Sequence, residues 1–367
     1  MNTNELINEI CVDLKKNIAS SDSNVKIMFS GKGYDSIPIT KSNFHQIKSL
    51  VSYGELVFVD GGNLELLSAP NFSVQLLRVC AVKYKNNERV FIKRVECFCV
   101  VNSFVKRSEN SVENSAANIW YKVKIYPIDE ADSDFFESMN GLEINSQEES
   151  ISSGGKRAKI SSVVNVVRRF LEIDFAKNMI SELLSGFIIL DGTLEANYPG
   201  EIEKLTGLCE SAKKKEVTVC ALSKTTNLFT SNSNSAPAYL NSLSPFNKWY
   251  YYPSVKIASF NENHSAEIYF LKLNEHSDYV FRFEINKSPL LEGDFLDKLF
   301  WLLEQNSKDA VFLGYPYGLI EVDKFARIEK KEAEALQILF LSKISSNFHL
   351  LNSINALNAH DILDRIS

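Results

Sequence analysis

Between Ser161 and Leu222 the chain changes period twice in a way that few folds accommodate. From Ser161 to Leu184, Val164, Val167, Leu171, Phe175, Met179 and Leu183 recur at steps of three or four, one apolar stripe along a helix. Gly186 ends it, and Phe187-Ile188-Ile189-Leu190-Asp191-Gly192 reads as a short, wholly apolar strand. A helix is expected from Pro199 to Lys215, followed by a second apolar strand, Val217 to Leu222, and then Ser223-Lys224-Thr225-Thr226. Short strands with no polar face, alternating with helices, require a sheet covered on both sides. The fold class expected is therefore α/β, with a mixed sheet flanked by helices.

Further strands fit that sheet. Glu55-Leu56-Val57-Phe58-Val59-Asp60 reads as a buried strand stopping at the pair Gly61-Gly62. Val74–Tyr84 and Val90–Val101, separated by Lys85-Asn86-Asn87-Glu88-Arg89, suggest an antiparallel hairpin. Ala266–Leu273 and Tyr279–Ile285 add two more strands, and helices are expected at Leu291–Gln305 and Asp323–Ile344. Residues 1–50, with Leu6, Ile10, Leu14 and Ile18 at helical spacing, form an amphipathic helical lead-in; residues 51–367 form the main domain, ending in a helical region.

The chain has 40 Lys and Arg against 46 Asp and Glu, a balance that leans away from nucleic acid. Eight of the acids, however, lie between Pro127 and Ser153, where there is no Lys or Arg. The segment from about 127 to 157, closed by Lys156-Arg157-Ala158-Lys159, is expected to be a flexible acidic surface insert. Outside Pro127 to Ser153 basic residues slightly outnumber acidic ones, 40 to 38, so DNA is not excluded. The six cysteines include no C-x-x-C pair, which points to free thiols in a reducing compartment rather than a zinc site. No apolar run approaches the roughly 18 residues of a membrane span. The first residues lack the basic flank and apolar stretch of a signal peptide. A cytoplasmic protein with no membrane association is expected.

Two apolar strands thus run into Asp-Gly, at Asp60 and at Asp191. An acid at the carboxyl end of a central strand stands where open α/β sheets place their sites; alone, either would equally serve as a turn former or helix cap. Glu172 lies about 100° round its helix from Leu171 and can lean over the sheet edge, unless it only pairs with Arg168. Asp174 points elsewhere. Three converging carboxylates repel, two charges at 4 Å costing roughly 4 kcal/mol at an effective dielectric of 20. A divalent cation removes that cost, and oxygen-only ligands select Mg²⁺ or Mn²⁺ over zinc. Strand with Asp, two strands, helix with Glu, strand with Asp is the ribonuclease-H-like order, in which two metal ions roughly 4 Å apart serve phosphodiester hydrolysis.

At these positions the sequence resembles the NurA nucleases, from about Leu56 to the C-terminus. The resemblance rests on Phe58-Val59-Asp60-Gly61-Gly62, the helix with Arg169 and Glu172, and Leu190-Asp191-Gly192-Thr193-Leu194. It continues through Ala221-Leu222-Ser223-Lys224-Thr225-Thr226, Val280-Phe281-Arg282-Phe283-Glu284, Gly314-Tyr315-Pro316-Tyr317-Gly318-Leu319-Ile320-Glu321 and Ala359-His360-Asp361-Ile362-Leu363-Asp364. It implies a manganese-dependent DNase with single-strand endonuclease and 5′-to-3′ exonuclease activity. It further implies a homodimer working with a HerA-type hexameric ATPase in DNA-end processing. Asp60, Glu172 and Asp191 map onto the metal carboxylates; Asp323 and His360 compete for a fourth place, Asp323 being otherwise an acid at a helix N-terminus. Lys224 is expected at the scissile phosphate, or else as a solvated turn lysine. Arg282 is a DNA contact or the ion-pair partner of Glu284. Tyr252, in the run Trp249 to Tyr252, stacks on a base or belongs to the core.

Two rivals remain at the sequence level. An actin- or sugar-kinase-like phosphotransferase shares strand-end aspartates, but its phosphate loops place glycine two residues after Asp, whereas Gly61 and Gly192 follow directly. A non-catalytic adaptor docking on the translocase would not need the three acids.

Overall fold

The computed structural model describes residues 2–18, 24–50, 52–106, 119–152, 154–287, 294–347 and 349–354. Its centre is an eleven-stranded mixed sheet. From one edge the order is β3 (Phe44–Gln46), β12 (Trp249–Tyr251), β14 (Ala266–Lys272), β15 (Phe281–Asn286), β10 (Val217–Ser223) and β9 (Gly186–Asp191). It continues with β4 (Glu55–Ala69), β5 (Phe72–Lys85), β6 (Glu88–Val105), β7 (Ile119–Pro127) and β8 (Glu143–Asn145). Two small pairs, β1 (Ile27–Met28) with β11 (Phe229–Thr230) and β2 (Tyr34–Ser36) with β13 (Val255–Ile257), flank one end. Among the described strands, the parallel pairings are β4 with β9 and β9 with β10.

Both faces are covered. On one, Val57 and Val59 pack with α3 (Val163–Met179) and α4 (Glu201–Lys213). On the other, Leu56 and Phe58 pack with α6 (Asp294–Asn306) and α7 (Tyr317–Ala326). This is the strand period of two serving two apolar layers at once, and it explains why β4 and β9 show no polar face. Each fully buried Val, Leu or Phe contributes about 1.5–3 kcal/mol. A third helix, α8 (Lys330–Ile344), lies over the far half of β4, β5 and β6, with Phe340 edge-on to Phe98. Among the described residues no helix is long and apolar enough to cross a membrane.

Four expectations change. The helical lead-in, α1 (Thr3–Ile18), stops where its apolar period stops; residues 25–28 alternate, with Val25 and Ile27 buried, and the following stretch forms β1 to β3 instead. The acidic insert is folded: a 3₁₀ turn at Glu130–Asp132, α2 (Ser133–Phe136), a second turn at Glu137–Met139 and β8. Its acids mask an apolar set, and Phe136 and Met139 are buried in the α3 core while Phe135 meets Phe175. The helix expected from Asp323 to Ile344 is two helices, α7 and α8, with Asp323 in the last turn of the first rather than at an N-terminus.

The fourth change concerns β4, which does not stop at Gly61-Gly62 but runs on to Ala69. The glycines are there for clearance. A Cβ on Gly61 would lie 2.6 Å from Glu172 Oε1, and one on Gly62 would lie 2.3 Å from the Ala326 carbonyl oxygen at the end of α7. The second obstacle is backbone and cannot swing aside. Gly62→Ala is expected to lower stability by about 1–3 kcal/mol, measured by urea unfolding, as overpacking does.

Candidate active site

The three parallel strands bring their carboxyl ends together, and β4 and β9 part company there. Their pairing ends at Val59 opposite Leu190, so the next residues, Asp60 and Asp191, flank the point of separation. β10 pairs with β9 as far as Leu222 opposite Asp191, which places Lys224 just beyond the same edge. From the α3 face Glu172 reaches over Gly61; from the opposite face α7 brings Asp323. Asp60, Asp191 and Asp323 each place a carboxylate oxygen within 4.8 Å of the others. The open cleft, about 360 Å³, is also lined by Glu172, Arg168 and Lys224. A more enclosed apolar cavity of about 240 Å³ lies between α4 and β10, lined by Leu205, Cys209 and Val219, and has none of these strand-end groups.

Lys224 stands in the middle of the acids. Its Nζ is 2.6 Å from Asp191, 2.8 Å from Asp323 and 4.0 Å from Asp60. Burial alone would lower its pKa, but these carboxylates hold the ammonium well above its usual range. Asp60 is pushed up to about 8 by burial and by the charges of Asp191 and Glu172, with Lys224 a partial offset. Burial also raises Glu172, against the pull of Arg168 at 3.5 Å and Arg169 at 3.8 Å. Asp323 goes the other way: burial opposes ionisation, yet Lys224 and Arg327 hold it below the usual carboxylate range.

Lys224 is thus shared by three carboxylates, of which Asp323 alone among the described residues has a second cationic partner, Arg327 at 2.5 Å, and the carboxylate of Glu172 is nearby. Asp323 also lies in the last turn of α7, where the helix dipole disfavours an anion. A hard divalent cation resolves both conflicts, and the all-oxygen donor set suits Mg²⁺ or Mn²⁺. The residues present therefore fit such an ion. Asp323 is in the tight group, while Glu172 faces it from across Gly61 with its oxygens turned towards the two arginines.

Other sequence candidates fall elsewhere. Arg282 Nη2 lies 2.6 Å from Glu284 Oε1, the ion-pair alternative, although its residue sits opposite Ser223 on the same sheet edge as Lys224. Tyr252 stacks on Tyr269 at 4.6 Å and donates to Glu267, while Trp249 and Tyr251 are core residues. Asp174 pairs with Lys204. His360 lies outside the described residues.

Two supports were not foreseen. Arg169 donates to the Thr193 carbonyl at 2.6 Å and to the buried Glu201 at 2.6 Å, tying α3 to the segment that follows Asp191. On the next residue, the Leu194 N–H donates to Glu284 at 2.7 Å; Glu284 is fully buried and also bonded to His264 Nε2 at 2.9 Å. The segment after Asp191 is therefore held at two successive residues, Thr193 by Arg169 and Leu194 by Glu284. A glutamate inside the apolar run Phe281 to Ile285 was the available signal, since a buried charge must find partners.

Residues 54–328 match the family model described as the NurA domain. No curated protein sequence matches the chain. A similar fold is found in the crystal structure of the NurA nuclease from Sulfolobus solfataricus, at a TM-score of 0.50 and 12% identity, over 95% of this chain and 96% of that one. With the family model spanning well over half of the chain, this protein belongs to the NurA family.

Proposed function

We propose that the protein is a metal-dependent nuclease that hydrolyses DNA, with Mn²⁺ or Mg²⁺ held, as two ions, by Asp60, Asp191 and Asp323 and with Glu172 completing the set. The observation that carries this reading is the convergence of three aspartates from three elements on a single lysine at the ends of parallel strands. A divalent ion supplies Lewis-acid stabilisation of the phosphoryl oxygens and acidifies an attacking water. The chain's own residues do the rest. Lys224, which stands among the carboxylates, would be placed to pair with the scissile phosphate once a cation offset their charge. Arg168, which lines the cleft and donates to the Gly61 carbonyl, is placed to steady a neighbouring phosphate. Arg169 and Glu284 keep the Asp191 loop in register.

The ribonuclease-H-like character, the single-strand endonuclease and 5′-to-3′ exonuclease activities, the homodimer, the HerA-type ATPase partner, and a cytoplasmic role in DNA-end processing belong to the same proposal and rest on the family. The full acid set favours catalysis over a purely docking role. Gly61 and Gly192, directly after their aspartates, disfavour a phosphotransferase.

The test is cleavage of a labelled single-stranded oligonucleotide by the purified full chain, with Mn²⁺ or with a chelator. Cleavage is expected only with the metal. Mn²⁺ at a hundred times its Kd is expected to stabilise the fold by about 2.7 kcal/mol. DNA left intact in Mn²⁺, with and without the ATPase, would overturn the assignment.

A further inference from the structure

The outward face of β7 is unlike the rest of the surface. Tyr121, Val123 and Ile125 point inward and are buried in the α3 core. The alternate residues, Trp120, Lys122, Lys124 and Tyr126, point out, and all four are aromatic or cationic. Lys106 Nζ sits 4.2 Å from the Trp120 ring centroid and Lys124 Nζ sits 4.9 Å from that of Tyr126. Glu143 on β8 pairs with Lys106 at 3.1 Å and Lys122 at 3.5 Å; Lys124 pairs with no carboxylate among the described residues. In a chain carrying a net charge of -6, a patch with two lysines and two aromatics on β7, Lys106 beside them and one acid on β8 is a distinct chemical surface.

Register puts this stripe on the same face of the sheet as Asp60. Asp60 is opposite Cys80, and Cys80 opposite Arg94; Leu64 is opposite Leu76, Leu76 opposite Phe98, and Phe98 opposite Tyr126. Directly opposed residues share a face, and so do residues four apart on one strand. Three strand spacings and four residues separate Tyr126 from Asp60, on the order of 20 Å. The stripe borders α8, whose Phe340 packs on Phe98.

We propose that Trp120, Lys122, Lys124 and Tyr126 form a binding stripe for single-stranded nucleic acid, separate from the cleft, on which unpaired bases stack while the lysines meet phosphates. This rests on the nuclease reading for its purpose but not for its chemistry. Aromatic rings accept any exposed base face, and lysines at every second position along a strand track a phosphodiester backbone without reading sequence. A duplex keeps its bases stacked inside and gains only the lysine contacts. The stripe thus selects single strands and holds the chain a fixed distance from the carboxylates.

The experiment uses the full-length protein in EDTA, titrated into a labelled 20-residue oligothymidylate and into a 20-base-pair duplex. Trp120→Ala with Tyr126→Ala is expected to weaken the single strand roughly tenfold or more while changing the duplex little. Lys122→Gln with Lys124→Gln is expected to reduce the salt slope of single-strand binding by about 1.4, the loss of two phosphate contacts. Mn²⁺-dependent hydrolysis of a dinucleotide, whose one phosphodiester linkage is far shorter than the roughly 20 Å between stripe and cleft, is expected to stay within about twofold of wild type in both variants. Unchanged single-strand affinity, or a changed oligomeric mass with binding intact, overturns the proposal; the latter marks the face as a contact between copies. If the variants show these binding changes while the wild-type protein cuts no substrate in Mn²⁺, the stripe is supported and the nuclease reading is overturned instead.

Discussion

Asp191→Ala is expected to reduce Mn²⁺-dependent cleavage by about 1,000-fold or more, measured under single-turnover conditions, with the melting temperature in EDTA unchanged or raised. The two effects have one cause. In the metal-free protein Asp191 is one of the charges that, after burial, hold the Asp60 carboxyl at about 8. Removing it relieves repulsion, and Lys224 keeps Asp323 at 2.8 Å. On the proposed metal site, the same deletion would remove one of the three carboxylates of the tight group. A structural aspartate would behave oppositely, losing stability and sparing rate. Wild-type cleavage by the variant would end the metal-site reading.

Glu284→Ala is expected to cost about 3–5 kcal/mol of stability, the usual result of stripping one member from a buried charged network. Its removal leaves His264 and Arg282 without their carboxylate and the Leu194 N–H without an acceptor. Burial tends to raise the Glu284 pKa, but His264, Arg282 and the Leu194 N–H outweigh it and hold the carboxyl below its ordinary range. The sign follows directly. The stabilisation is complete above the unfolded carboxylate value, near 4.3, and disappears as the pH falls through the lower folded value. Urea unfolding at pH 7 and across the acid limb is the measurement. The variant should be weakened at pH 7 and should show less additional loss on acidification than wild type; an equal loss in both would place the acid sensitivity elsewhere.

Several parts of this site were open to inspection from sequence because they depend on local pattern. Asp60, Asp191 and Lys224 each follow an apolar run, and parallel strands align their ends without further information. Asp323 was harder. Its helix starts after Pro316, a recognised helix-start signal, but the break between Ala326 and Lys330 contains neither Gly nor Pro, so two helices read as one with a shifted origin. Gly61-Gly62 misled because glycine pairs usually punctuate strands. Here the requirement is tertiary, set by Glu172 on one face and the α7 carbonyl on the other. The insert misled through charge: eight acids drew attention from Phe135, Phe136 and Met139. The clamp of Glu284 on Leu194 joins residues ninety apart and has no local signature.

The uninterrupted course of β4 has a mechanical consequence. Beyond Asp60 the strand continues for nine residues to Ala69, about 30 Å of arm. That arm is stiffened by β5 along its whole length and braced by α8. No pairing ties it to β9 past Val59. A displacement of the tip, near Ala69 and Phe72, therefore reaches Asp60 along the strand itself, whereas it reaches Asp191 only by way of the shared pairing up to Val59 and side-chain ties such as Arg169 to Thr193.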